Sequence, residues 1–262
     1  MSSIAELAPA PAPAAEVPDK AALAAFLAGN PFPRPLTLGF FYREKMRAIH
    51  RIAPATGVRR VLEVGGGQSG LTGLLYPRAQ VVNLELDTKY AKAPCNQGPR
   101  VRFVGGDATN LPFETGSFDA VTLFDLLEHV PDDAAVAKEA LRVVRPGGHV
   151  LVSTPCADWR HPYHGWMRPI CRPEAELMAE WGHVRRGYAM AELERLFGAR
   201  PDNAVGFITA LSVIGHDVAF SWLPQKAKVA LCTLLAPLSW AGYIATPGPE
   251  RCQEVAAVWR RG

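Results

Sequence analysis

Val61-Leu62-Glu63-Val64-Gly65-Gly66-Gly67-Gln68-Ser69-Gly70 is the stretch that decides how this chain reads. Val61, Leu62 and Val64 have the apolar run of a buried strand, and the glycines after them form a turn without bulky side chains. Gly65 and Gly67 let the backbone approach a ligand, and Gly70 allows close packing of the helix that follows. Such a turn builds a nucleotide cradle, which ordinary side chains would block. A lone G-x-G-x-x-G match also occurs in ordinary loops, so the residues downstream have to carry the argument.

The next run, AQVVNLELD at 79–87, places strand-like Val81, Val82 and Leu84 before Glu85, fifteen positions after Gly70. A carboxylate at the tip of the second strand accepts two hydrogen bonds from a vicinal diol, which points to an unphosphorylated ribose. The plainer reading is a solvated charge at a strand end. VRFVGGDATN at 101–110 reads as a third strand ending at Asp107. SFDAVTLFDLLEHV at 117–130 reads as a fourth strand running into a short helical segment. In an open parallel sheet, ligands lie beyond the carboxyl ends of the strands, where Gly65, Glu85, Asp107 and Asp125 all fall. Taken singly, Asp107 also suits a turn before Asn110, and Asp125 a helix cap.

Residues 59–155, with the combined pattern GDA, LPF, FD, LEHV and RPGG, resemble the class I S-adenosylmethionine-dependent methyltransferases, in particular the small-molecule "type 11"-like group. The resemblance implies an α/β fold: a Rossmann-like, seven-stranded, mostly parallel sheet with helices on both faces. It implies S-adenosylmethionine as cofactor and a role for each matching residue. Glu63 takes the acidic place near the methionine end, beside the turn of Gly65 and Gly67. Glu85 holds the ribose, Asp107 with the backbone of Ala108 meets the adenine amino group, and Asp125 lines the methionine side. The family often has Gly-Cys-Gly where this chain has Gly65, Gly66 and Gly67, a change expected to cost rigidity without obstructing the ligand.

Length and composition set the outer bounds. The 262 residues, 48% of them hydrophobic, suffice for one large domain with embellishments. A net charge of +3 without a basic stripe interleaved with aromatics argues against nucleic acid as a partner. Five cysteines at 95, 156, 171, 232 and 252 form no C-x-x-C pair, and there is no H-E-x-x-H, so neither a disulfide framework nor a zinc motif is indicated. The reaction implied by the resemblance calls for no metal. Residues 1–18 lack the positive start and long apolar block of a secretion signal, so a cytoplasmic protein is expected. The chain divides into a flexible Ala/Pro-rich tail with a short helix over 1–34 and a methyltransferase domain over 35–262. Residues 39–53, with Met46, Ile49 and Ile52 at helical spacing, predict an amphipathic helix covering the sheet edge.

Beyond the fourth strand, Asp132 and Asp133 are placed to cap a helix that Pro146-Gly147-Gly148 stops, and HVLVSTP at 149–155 reads as a fifth strand. Residues 156–200 then form the expected substrate lid. It combines Trp159, Tyr163, Trp166, Trp181 and Tyr188 with Arg160, Arg168, Arg172, Arg185 and Arg186. Arginines bind phosphate or carboxylate and aromatic faces stack on rings, which suits an anionic or glycosylated head group; packing aromatics and solvated arginines are the alternative. His161, His164 and His183 are the candidate general bases by position, whereas His129 belongs to the LEHV segment.

Residues 203–213 read as a sixth strand, 254–261 as a final antiparallel strand, and 214–251 as an apolar helical insertion between them. Within it, 229–246 carries no charge over 18 residues. That run fits an internally packed lid, an interfacial or acyl-binding cover, or a membrane span weakened by Pro237, Ser239 and Gly242. The expected function is methyl transfer to a small-molecule acceptor, glycosylated, anionic or lipid-linked, with peripheral membrane contact. Two other readings stay open: an NAD-dependent oxidoreductase, which lacks an evident Tyr-x-x-x-Lys, and a non-catalytic scaffold on a cofactor fold.

Overall fold

Seven strands join into one sheet in a computed structural model that describes residues 18–32, 38–244 and 248–262. The strands are β1 (Arg60–Val64), β2 (Gln80–Glu85), β3 (Val101–Gly105), β4 (Phe118–Phe124), β5 (Val144–Pro155), β6 (Asn203–Thr209) and β7 (Cys252–Arg260). Their order is β3-β2-β1-β4-β5-β7-β6. The first five run parallel, and β7 is antiparallel to both β5 and β6. β1 is buried at Val61 through Val64, Glu63 included, as in a strand covered on both faces.

Two helical layers provide that cover. On one face, α4 (Asp133–Val143) and α6 (Met190–Phe197) seat Val136, Ala140, Leu193 and Phe197 against Leu62, Val121 and Val152. On the other, α1 (Leu23–Ala28), α2 (Leu38–Ile52) and α3 (Leu71–Leu75) bury Phe26, Met46, Ile49, Ile52 and Leu75 against Val61, Ala120 and Leu151. The expected face of α2 is thus the one that packs, over β5, β7 and β6. Asp132 caps α4 by accepting the Ala135 N–H at 2.9 Å, a contact worth about 1 kcal/mol.

Two expectations change. The short N-terminal helix is not a loose appendage: Phe26 is fully buried, and the Lys20 ammonium donates to the carbonyls of His50 and Ala53. The Ala/Pro-rich stretch before it, residues 1–17, lies outside the described residues. The sixth strand stops at Thr209 rather than Val213, because Ser212 folds back to accept the Thr209 N–H at 2.9 Å.

The insertion is therefore α7 (Val213–Ala219) and α8 (Gln225–Ile244), packed on each other. α8 buries Cys232 and Ser239 but exposes Leu231, Leu234, Leu238, Trp240 and Ile244, with Leu234 75% accessible. A wholly self-packed lid would not leave these side chains in water. No described helix is long and apolar enough to cross a membrane.

Candidate active site

The turn after β1 is held by packing from below. A Cβ on Gly65, whose φ is +73°, would stand 2.7 Å from Leu126 Cδ1. At Gly66 a Cβ would lie 2.5 Å from Glu63 Cδ and 2.8 Å from Asn83 Oδ1. The middle glycine is thus required by its neighbours and does not merely loosen the turn. Gly70 makes room for the side chain of Cys95, 2.5 Å from where its Cβ would be, rather than for helix-on-strand packing.

Glu63 lies buried beneath this turn, accepting the Thr72 N–H at 3.3 Å, and burial raises its pKa. The Gly67 N–H donates to Glu85 Oε2 at 3.0 Å, so the second-strand carboxylate touches the glycine turn directly. Asn96 donates to the carbonyls of Gly67 and Tyr90, both at 2.9 Å, and accepts from Asn83. Neither asparagine belongs to a motif that would single it out in the sequence; both fix the loop.

Asp107 and Ala108 follow β3 at the same edge of the sheet. Asp107 accepts the Thr109 N–H at 2.8 Å and its carbonyl accepts that of Asn110, so it is a turn residue placed at a strand tip. The two bonds from Thr109 lower its pKa. Asp125 follows β4 with φ +51°, an uncommon conformation that aspartate tolerates better than most residues. It caps no helix. Its N–H reaches the Ser153 carbonyl at 2.8 Å, its Oδ1 accepts from Ser153 Oγ at 3.1 Å, and its Oδ2 is ion-paired with Lys45.

Beside Asp125 opens a cavity of about 370 Å³. Its walls are aromatic, with Phe41, Tyr42, Trp159, Trp181 and Phe220, and its polar side gathers Lys45, Asp125, Glu128, His129, His183 and Glu254. Burial pulls the Lys45 pKa down, but Asp125 and Glu254 more than reverse this and hold the ammonium charged. Burial and then the charge of Asp125 push Glu128 up to about 8. Burial and then His129 bring His183 down to about 4, which leaves a neutral imidazole at pH 7.

Of the three expected histidines, only His183 lines this cavity. His164 Nδ1 lies 3.1 Å and His161 Nδ1 3.5 Å from the buried carboxylate of Asp217, which also accepts the N–H groups of Tyr163 and His164. That arrangement anchors the lid to α7. The lid arginines also differ from expectation, since none lines the cavity. Arg172 is paired with Glu176 and Glu180, Arg185 with Asp133 and Glu192, and Arg186 with Glu174, while Arg160 lies over the Tyr163 ring. The tryptophans Trp159 and Trp181 do reach it. Lys45 and Glu254, absent from the sequence expectations, come from polar positions of α2 and β7 that look solvated until both elements are packed.

Comparison with known proteins meets this geometry. A family model described as a methyltransferase domain matches residues 62–152. An uncharacterized methyltransferase of Mycobacterium sp. (strain KMS) is 33% identical over 194 residues, covering 73% of this chain and 71% of the relative. The chain belongs to the class I S-adenosylmethionine-dependent methyltransferases. This methyltransferase is also 31% identical over 220 residues to the 2-methyl-6-phytyl-1,4-hydroquinone methyltransferase of Synechocystis sp., covering 78% of its own length and 65% of that relative's. It is 37% identical over 131 residues to a phthiotriol/phenolphthiotriol dimycocerosates methyltransferase of Mycobacterium ulcerans, covering 45% and 48% of the two chains. A geranyl diphosphate methyltransferase structure has the same fold, with a TM-score of 0.59 at 19% identity over 86% of this chain and 79% of that one. The sheet agrees: in the dinucleotide-binding order 3-2-1-4-5-6 no antiparallel strand enters beside the fifth, as β7 does in the methyltransferase. The oxidoreductase reading is thereby set aside.

Proposed function

We propose that this methyltransferase transfers a methyl group to an acceptor that joins a ring or oxygenated head to an apolar body, and that it meets that acceptor at a lipid surface. The observation that carries the proposal is the cavity beside Asp125, where aromatic walls face one compact polar cluster. An apolar body gains roughly 25 cal/mol per Å² on such walls, and a polar head finds partners on the opposite side.

Bound S-adenosylmethionine supplies an electrophilic sulfonium methyl. In this proposal Gly65, Gly67 and Glu85 hold its ribose and the adjoining chain, with Glu63 bracing the turn. Asp107 and the Ala108 backbone receive the adenine, and Asp125 the methionine side. The protein's work is then to align the acceptor in line with the methyl and to keep water out. His183 is the candidate acceptor-side group, a neutral imidazole with a lone pair available in the cavity.

The exposed side chains of α8 supply the second element. Leu231, Leu234 and Leu238, spaced i, i+3 and i+7, share one exposed side of the long helix of the insertion, a stripe of the kind an interfacial helix would use. Relatives named for a phytyl hydroquinone and for dimycocerosates support an acceptor of this type. The test is to incubate the protein with methyl-labelled S-adenosylmethionine and a total lipid extract, then partition the products. Label in the organic phase is expected; label confined to water-soluble products would refute the lipid-borne acceptor.

A further inference from the structure

Glu128, His129 and His183 each offer one ligand atom, and these atoms all lie within 4.8 Å of one another. Glu128 and His129 sit on the 3₁₀ turn Leu127–His129 after β4, and His183 follows α5 (Glu174–Trp181). No spacing motif joins them in sequence. The fold does: the Val184 N–H donates to the Glu128 carbonyl at 2.9 Å, tying the two segments together beside the cavity.

The hydrogen bonds around the cluster leave lone pairs unclaimed. His129 Nδ1 lies 3.2 Å from the Gly182 carbonyl, which only accepts, so Nδ1 carries the proton and Nε2 keeps its lone pair. Glu128 Oε2 accepts from Thr154 Oγ1 at 3.0 Å, which orients the carboxylate. His183 Nδ1 is buried without a hydrogen-bond partner. An imidazole whose second nitrogen donates to a backbone carbonyl, and a carboxylate held by a hydroxyl, are the supports that metal ligands ordinarily have. On the same wall the carboxylates of Asp125 and Glu254 share the ammonium of Lys45.

We infer that Glu128, His129 and His183 form a binding site for a divalent first-row transition cation, which holds a hydroxyl oxygen of the acceptor in the cavity. Two imidazoles and one carboxylate suit Zn²⁺, Fe²⁺, Co²⁺ or Mn²⁺ and leave positions open for an exogenous oxygen. Ligand atoms at about 2.1 Å from one cation stand roughly 3–3.5 Å apart, so side-chain shifts of about an ångström close the site. The cation's role toward the acceptor rests on the methyl-transfer reading; its binding does not. A bound hydroxyl gives its proton to solvent water and faces the methyl carbon as an oxyanion. The new oxygen–carbon bond then forms as the carbon–sulfur bond breaks, with the electron pair retained by sulfur.

A second cluster, His161, His216 and Asp217, is as closely gathered but buried, and its carboxylate is already engaged by Tyr163 and His164. It serves as the control. Full-length protein stripped with chelator is titrated with Co²⁺ alone, and the visible d–d absorption is followed. One equivalent is expected to bind, with the bands erased by competing Zn²⁺. Glu128→Gln and His183→Ala should weaken Co²⁺ binding at least about 100-fold and Thr154→Val about 10-fold, while His216→Gln keeps the bands. Folding is checked by circular dichroism and S-adenosylmethionine binding by calorimetry. Absence of stoichiometric bands, bands unchanged in folded Glu128→Gln and His183→Ala, or bands lost in His216→Gln would each overturn the site. Stoichiometric Co²⁺ binding that follows these residues would uphold the site even if no acceptor were methylated. Methylation undiminished by chelator, without Co²⁺ bands, would remove the site and leave the methyl-transfer reading standing.

Discussion

The Lys45 ammonium on α2 is ion-paired with the carboxylate of Asp125 at the tip of β4, in a setting where both side chains are largely withdrawn from water. Lys45 also lies 3.4 Å from Glu254 on β7, so a single cation joins three elements at the wall of the cavity. Removing it leaves two carboxylates close together without compensation. Lys45→Met is expected to destabilise the protein by roughly 3–5 kcal/mol, the usual cost of orphaning a buried charge. Chemical denaturation of wild type and variant measures this; a change below about 1 kcal/mol would show that Asp125 and Glu254 need no such partner.

Gly66→Ala tests the packing beneath the glycine turn. The added methyl would meet Glu63 and Asn83 at 2.5–2.8 Å, whereas one added at Gly73 has nothing within 4 Å. Overpacking of this kind costs about 1–3 kcal/mol and displaces the turn. Calorimetry should show Gly66→Ala binding S-adenosylmethionine at least about tenfold more weakly than Gly73→Ala. Equal affinities would mean that the turn is not held from below.

Glu85→Ala removes the acceptor of the Gly67 N–H and the proposed ribose anchor together. A loss of roughly 1.5–3 kcal/mol in cofactor affinity is expected, as for hydrogen bonds to a charged group, with folding retained. Unchanged affinity in a folded variant would place the ribose elsewhere.

How much of this was legible beforehand follows from what each residue's signal depends on. Gly65, Glu85, Asp107 and Asp125 lie at strand tips, and a strand followed by a turn is a local pattern, so their placement at one edge of the sheet could be read directly. Lys45, Glu128 and Glu254 matter only because α2, the turn after β4 and β7 converge, and no local spacing encodes that convergence. The lid illustrates the same limit. Its arginines and tryptophans were equal candidates by composition, but nearby carboxylates such as Glu176 and Glu192 take up the arginines while Trp159 and Trp181 turn inward. His161 and His164 looked catalytic until Asp217, over fifty residues away, was found to hold both.

Stability should respond to pH through Glu44. Its Oε2 accepts from the Ile208 N–H at 2.9 Å and from Ser212 Oγ at 3.2 Å, but burial pushes its pKa up to about 7. A carboxyl whose folded pKa exceeds its unfolded value binds more protons in the folded state, so stability falls as pH rises from about 4.5 to about 7. Glu44→Gln keeps an acceptor for Ile208 and cannot ionise. Relative to wild type, it should therefore be more stable at pH 8 than at pH 5 by denaturant titration. A pH-independent difference would show that Glu44 does not titrate there.

The apolar face of α8 predicts binding to vesicles. Wild-type protein should float with anionic liposomes, and Leu234→Glu/Leu238→Glu should not, since each large side chain fully buried in lipid contributes about 1.5–3 kcal/mol. Wild type remaining at the bottom of the gradient would remove the membrane contact.

The acceptor and the role of His183 are decided together by the rate of S-adenosylhomocysteine formation with a phenolic acceptor bearing a long isoprenoid chain and with the same ring lacking the chain. Both are presented in detergent micelles to wild type and His183→Ala. Expected are a kcat/KM at least about tenfold higher for the chain-bearing acceptor, because the aromatic cavity takes up apolar surface, and a fall of about 100-fold or more in kcat for His183→Ala with cofactor affinity preserved. Equal kcat/KM for the two acceptors, or full activity without His183, would contradict the proposed function.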